Sequence, residues 1–365
     1  MLKIDTILKH VLKIPKLNNK LFHLSAVKQC GKPADSKDQI FQKVSCPVLN
    51  SQNKVSIIGA GESGMAVAVG LLAQRVTSHI ALYDCDDERV KGEMLDLQHG
   101  SSFLNNPKIE AGADPEVMKN SRVTVLTLGD APAKLDDDIF VFAKNNVDVL
   151  KPIVPLIFEQ SPNTILLVAS PVVEASTYVC SKLACASSHK IIGTGCNLDS
   201  TRFRFFMSQK YKVAGESCKG WVIGQNGLYS VVLWSTLTVG GVRLCLVNPY
   251  IGTGCDPENW REVHQKVIKA DFELLKTKGH VSWAIAGNVV DIIDSILNNA
   301  RKVFSLTVPA KGYYGIDSDV YCSLPCVLGE DGISEILTIP VKDSEFEELM
   351  RSVCIIEKMQ SSTCM

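Results

Sequence analysis

Lys54-Val-Ser-Ile-Ile-Gly-Ala-Gly-Glu-Ser-Gly64 is the stretch on which the fold turns. Its opening is a short run of β-branched and apolar residues with strand character, and it closes in Gly59-x-Gly61-x-x-Gly64. An apolar stretch with helical character follows from Met65 to about Gln74. His79-Ile-Ala-Leu-Tyr83 then reads as a second strand that stops at Asp84. Three glycines at this spacing mean little alone, because glycine is frequent in turns. Here they follow a strand directly, open a helix, and precede by twenty residues an acid that ends the next strand. That context is the pattern of a dinucleotide-binding turn. Gly59 permits the tight turn, Gly61 lets the backbone approach a pyrophosphate, and Gly64 lets the helix pack on the strand. The helix N-terminus attracts the phosphate charge. Asp84 can accept hydrogen bonds from a ribose diol and repels a 2′-phosphate, which favours NAD over NADP. Two readings stay open: a working nucleotide site, or a scaffold that has kept the turn without the ligand.

Outward from this unit the same rhythm continues. Asp86–Leu97 reads as a helix with a charged face, and Arg122–Leu128 and Thr164–Ala169 as buried strands with one helix, Asp137 to about Glu159, between them. Lys190–Ile192 begins a further strand. Alternating strands and helices predict an α/β domain with a doubly wound parallel sheet covered on both faces. The second half differs. Lys219–Ile223 and Val231–Val239 suggest antiparallel strands, Pro257–Lys278 and Trp283–Val303 long helices, and Asp319–Leu328 and Ile333–Pro340 further strands before a helix from about Ser344. That is an α+β layout, with a boundary expected near Gly193.

Composition sets limits on function. The 365 residues are 46% hydrophobic and 21% charged, and the formal net charge of −1 gives no electrostatic basis for nucleic acid or an anionic membrane as main partner. No apolar run reaches the roughly 18 residues that suggest a bilayer span. The thirteen cysteines are scattered and include no Cys-x-x-Cys, so free buried thiols in a reducing compartment, the cytoplasm, are expected rather than a disulfide framework. No His/Cys cluster has ligand spacing, so no metal is expected. Before Lys37, seven lysines (Lys3, Lys9, Lys13, Lys16, Lys20, Lys28, Lys32) face only Asp5 and Asp35. This basic start is either a mitochondrial presequence, although it lacks arginine and is poor in serine, or a tail without an address.

Several segments, in order, resemble the L-lactate dehydrogenase family. They are Lys37-Asp-Gln-Ile, Gln52-Asn-Lys, Lys91-Gly-Glu-Met-Leu-Asp-Leu-Gln-His-Gly100, Gly195-Cys-Asn-Leu-Asp-Ser-Thr-Arg-Phe-Arg204, Lys278-Gly-His-Val-Ser-Trp-Ala-Ile285, Lys311-Gly-Tyr-Tyr-Gly-Ile316 and Leu324-Pro-Cys-Val-Leu-Gly329. The resemblance runs from about Lys37 to the last helix. It implies a basic extension over 1–36, an N-terminal arm over 37–53, a Rossmann-type NAD-binding domain over 54–192 and an α+β substrate domain over 193–365. It also implies NAD(H) as cofactor, a 2-keto or 2-hydroxy acid anion as ligand, and a homotetramer or a mixed tetramer with lactate dehydrogenase subunits.

The family reduces a keto acid with hydride from the nicotinamide and a proton from a histidine. An aspartate orients that histidine, an arginine fork binds the substrate carboxylate, and a mobile-loop arginine polarises the carbonyl. By position, Asp199 matches the aspartate and Arg202 the fork. The family's Gly-Glu-His-Gly-Asp, however, reads Gly224-Gln225-Asn226-Gly227-Leu228 here, and no histidine lies between His189 and His264. Asn226 has no titratable proton near neutrality. Ile139 falls where the loop arginine belongs, within about one position because the loop is one residue longer, and no arginine lies between Arg122 and Arg202. Lys134 is the one candidate substitute, opposed by Asp136, Asp137 and Asp138. Ser170 replaces the asparagine that reaches the nicotinamide, and Val281 a threonine of the substrate pocket. Loss of a general acid costs about 10²–10⁴ in rate, and loss of a preorganised electrostatic donor about 10²–10³. The expectation is an NAD-binding, catalytically impaired relative, a pseudoenzyme of pyruvate and lactate metabolism. The competing readings are an active oxidoreductase with proton transfer relocated to water or Asp199, and a purely structural subunit with a vestigial nucleotide site.

Overall fold

The computed structural model describes residues 53–130, 137–184 and 186–363. The basic extension, the arm-like segment Lys37–Leu49, Lys134 and Asp136 lie outside the described residues.

Six parallel strands carry the first half: β1 (Val55–Ile58), β2 (His79–Tyr83), β3 (Lys108–Gly112), β4 (Val123–Leu126), β5 (Ile165–Val168) and β6 (Ile191–Gly193). They lie in the order β3-β2-β1-β4-β5-β6, which reverses direction beside β1 and so opens a crevice at the carboxyl ends of β1 and β4. β1, β4 and β5 are buried along their whole length. Helices cover both faces of the sheet, which is why these strands read as continuous apolar runs instead of alternating. The connecting helices are α1 (Glu62–Ala73), α2 (Asp87–His99), α3 (Ile139–Leu150), α4 (Ile153–Gln160) and α5 (Val173–Leu183).

The sheet does not stop at β6. β12 (Val303–Pro309) joins it antiparallel, with Thr307 opposite Gly193. β13 (Tyr321–Gly329), β8 (Val222–Gly224) and β9 (Ser230–Val232) extend it, and β14 (Gly332–Ile336) pairs with β13. Gly193 therefore marks a change of strand direction inside one eleven-stranded sheet. A separate small sheet contains β7 (Cys218–Lys219), β10 (Thr238–Val239) and β11 (Val242–Arg243). The second half also carries α6 (Asn197–Tyr211), a single turn at Leu244–Val247, α7 (Trp260–Lys278), α8 (Trp283–Leu297) and α9 (Asp343–Thr363). Phe203, Met207, Trp234 and Trp260 centre a second core between α6 and α7. A Cβ on Gly70 of α1 would stand 2.9 Å from Val290 of α8, so this glycine permits the close approach of the two helices.

Four expectations need correction. The single helix over Asp137–Glu159 is two helices, because Pro152, which has no N–H, caps the second one. The strands over Lys219–Ile223 and Val231–Val239 are each split between the two sheets, the first into β7 and β8, the second into β9 and β10 with a 3-10 turn at Trp234–Thr236 between them. The helix over Trp283–Val303 ends at Leu297. Asn299 and Arg301 adopt positive φ, and the β-branched run from Val303 becomes β12. Finally, β3 was not foreseen, since Ile109 is its only large apolar residue. Among the described residues no helix is long and apolar enough to cross a membrane, and no group of three metal-ligating side chains converges. Cys180, Cys196, Cys218, Cys322 and Cys326 are buried free thiols.

Candidate active site

The glycine turn is built by its own backbone constraints. Gly59 has φ +100°, and its N–H donates to the Tyr83 carbonyl at 2.8 Å. A Cβ on Gly64 would stand 1.9 Å from the Gly59 carbonyl oxygen, so only glycine lets α1 start here. Gly61 is the contrast. Nothing lies within 4 Å of where its Cβ would be, and no side chain caps α1. The first-turn N–H groups of α1 therefore have no side-chain cap, and the backbone at Gly61 is open to approach, a ready seat for a phosphate. Asp84 closes the turn from β2. Its Oδ2 accepts from the Ala60 N–H at 2.7 Å and its Oδ1 from the Asp86 N–H at 3.1 Å. Burial pushes this carboxyl up, but those two backbone donors, the Cys85 thiol and Arg89 outweigh it, and the net shift is downward. Asp84 is thus a carboxylate near neutrality, and it also holds the loop in shape.

A cavity of about 440 Å³ opens at the carboxyl ends of the strands. It brings together Ile139, Ser170, Arg202, Asn226, Leu228 and Val281, residues far apart in sequence. Asn226 follows β8, and its Nδ2 donates to Asp199 Oδ2 at 2.8 Å. Asp199 lies in the first turn of α6 and is 3% exposed. Burial raises its carboxyl to about 6, with Asp271 adding to the rise, while Arg202 and hydrogen bonds from Asn226 and the Gly227 N–H act against it. An amide partner cannot take up a positive charge, so it compensates this carboxylate less than an imidazolium would. Ile139 opens α3 and packs against the cluster of Ala143, Val172, Ala175 and Met359. Ser170 is 2% exposed, and its Oγ has no hydrogen-bond partner.

Arg202 is not open to a ligand in the way its position suggested. Its Nη1 donates to Asp271 Oδ2 at 3.0 Å and to Asp199 Oδ1 at 3.4 Å, and its Nη2 donates to Asp271 Oδ1. Asp271, on α7, grips the fork with both oxygens.

With this geometry in place, comparison with known proteins decides the kinship. Residues 53–193 match the family model of the lactate/malate dehydrogenase NAD binding domain, and 196–361 that of the lactate/malate dehydrogenase alpha/beta C-terminal domain. The chain belongs to the lactate/malate dehydrogenase family. It is 41% identical over 327 residues to the L-lactate dehydrogenase B chain of Sceloporus undulatus, covering 88% of this chain and 96% of that one. The A chain of Ambystoma mexicanum is 42% identical over 302 residues, 83% of this chain and 90% of its own. The human B chain is 40% identical over 316 residues, 85% and 94% respectively. NAD is the cofactor of this lactate dehydrogenase relative. The uncapped turn at Gly61 and the carboxylate of Asp84 fit it: the α1 amides for the pyrophosphate, Asp84 for a ribose diol. When bound, NADH would bring a nicotinamide that can give up a hydride.

Three residues that matter here escaped the sequence reading. Asp271 sits on α7, an ordinary charged helix, with no local sign in the sequence that it faces inward. Glu174 is fully buried on α5 behind Asn226. Its Oε1 accepts from the Asn226 N–H at 3.0 Å and from Ser323 Oγ at 3.2 Å, while Oε2 has no partner. Burial lifts this carboxyl to about 7. An acid directly after Val173 was legible in the sequence; its burial was not. Val172 lines the cavity at φ +52°, an unfavourable conformation for a β-branched side chain, at the N-cap of α5.

Proposed function

We propose that this chain binds NAD(H) and has given up efficient 2-keto acid reduction. One observation carries the reading: at the base of the cavity an amide, Asn226, donates to Asp199 at 2.8 Å in the position where the family's chemistry needs an acid. An amide N–H can hydrogen-bond a carbonyl oxygen but cannot deliver a proton to the alkoxide that hydride transfer generates. Asp199 does not replace it. It is buried, and its oxygens are engaged by Asn226 and Arg202. Ile139 adds an apolar wall where a cation has to polarise the carbonyl. The glycine turn and Asp84, in contrast, retain every feature that nucleotide binding asks of them. We further propose a cytoplasmic tetramer, alone or mixed with lactate dehydrogenase subunits, on the strength of alignment with 96% of a complete relative. Calorimetric titration with NADH tests the binding half of the proposal. Saturable binding is expected; absence of heat and of any NADH-dependent rise in melting temperature refutes it. Light scattering tests the assembly, and a monomer of about 40 kDa counts against it.

A further inference from the structure

We infer that Asp271 occupies the place on Arg202 that a ligand carboxylate needs, so that the cavity selects a small molecule whose group facing Arg202 is uncharged. The inference rests on the reading of this cavity as the ligand site, and it names the ligand class that the site takes.

The geometry is that of a filled fork. Arg202 is 11% exposed in its side chain and gives two parallel N–H bonds to Asp271 and a third, longer one to Asp199. Two carboxylates thus already surround one guanidinium, and the bidentate arrangement is the strongest that an arginine makes with a carboxylate. An incoming anion has to displace a side chain tethered to α7, which competes at high effective concentration because it never leaves. After displacement Asp271 remains on the cavity wall, as a like charge beside the ligand.

The rest of the wall agrees. Among the described lining residues the charged groups are Arg202 and the acids Asp137, Asp138 and Asp271, three carboxylates to one guanidinium. Ile139, Leu198, Leu228, Ile268, Phe272 and Val281 supply apolar surface. A second observation is compatible with a polar but neutral ligand: Ser170 lines this cavity, and its Oγ is buried and without a partner. Buried hydroxyls are rarely left unsatisfied. A carbonyl, amide or hydroxyl group on a small, partly apolar molecule satisfies it without adding charge.

Oxamate and its uncharged analogue oxamide separate the two possibilities. Wild type, Asp271→Ala and Asp271→Asn are titrated with each compound, both with and without NADH, and thermal midpoints confirm that the variants fold. Asp271→Asn keeps the shape of the side chain if the alanine variant proves unstable. Oxamide is expected to bind wild type more tightly than oxamate. Removing the charge at 271 is expected to strengthen oxamate binding on the order of a hundredfold, because like charges pressed together are strongly unfavourable, and to leave oxamide nearly unchanged. Oxamate binding that is equal in wild type and both variants, in both cofactor states, overturns the inference. So does tight oxamate binding by wild type. If NADH gives no binding while the oxamate gain appears, the cofactor reading fails and this inference stands. If NADH binds and the gain is absent, only the inference falls.

Discussion

Replacing Glu174 with glutamine removes a carboxyl that the fold buries completely and satisfies only on one side. Oε1 accepts from the Asn226 N–H, Ser323 Oγ and Thr307 Oγ1, whereas Oε2 has no partner. Glutamine keeps the accepting oxygen and has nearly the shape of the protonated acid. Burial lifts the folded carboxyl from an ordinary 4.5 to about 7. Below pH 4.5 both folded and unfolded chains hold this proton. Between 4.5 and 7 the unfolded chain releases it first, so stability falls as pH rises and levels off above 7. At about 1.4 kcal/mol per pKa unit, the loss is about 3 kcal/mol at pH 8 and about 1 kcal/mol at pH 5. Glu174→Gln is therefore expected to gain about 3 kcal/mol over wild type at pH 8, a rise of roughly 4 °C in melting temperature, and much less at pH 5. Asp199, raised to about 6 by burial, contributes a slope of the same sign to both proteins; because its charge also helps to raise Glu174, the two slopes cancel only in part. Urea unfolding of wild type and variant from pH 5 to pH 8 measures the effect. A difference that does not grow with pH, or a variant less stable at pH 8, refutes the reasoning.

Asp84→Ala is expected to weaken NADH binding at least about tenfold, since it removes a ribose acceptor together with the partner of the Ala60 and Asp86 N–H groups; unchanged affinity in calorimetry assigns the ribose contact elsewhere. Restoring chemistry requires more than the two lost catalytic groups. Asn226→His with Ile139→Arg places an imidazole on Asp199, which can orient it and stabilise its protonated form, but leaves Arg202 in the grip of Asp271. Pyruvate-dependent NADH oxidation is expected to appear, still far below a complete relative, only when Asp271→Ala is added. Equal activity of the double and triple variants contradicts that order of events.

How much the sequence revealed follows the range of the interactions. The strand before Gly59, the strand ending at Asp84 and the glycine spacing are local patterns, set by backbone sterics within a few residues, and they could be read directly. That an asparagine stands between Gly224 and Gly227, with no histidine from 190 to 263, was equally plain. The engagement of Arg202 could not be read. It depends on Asp271, sixty-nine positions away on a helix whose charges look like an ordinary solvated face. Burial of Glu174 depends on Ser323 and Thr307 from the far strands β13 and β12. The continuation of the sheet past Gly193 was hidden for a similar reason: β6 is three residues long, and its partner β12 lies more than a hundred residues on.

The account's central claim is that a nucleotide-binding fold has survived the loss of its proton donor. Mixing NADH-saturated protein with excess pyruvate and following the nicotinamide absorbance tests it most directly. The predicted trace decays at least about a thousandfold more slowly than that of a complete lactate dehydrogenase at equal concentration, in line with the loss of one acid and one polarising cation. Pyruvate-dependent decay at ordinary dehydrogenase rates would contradict it.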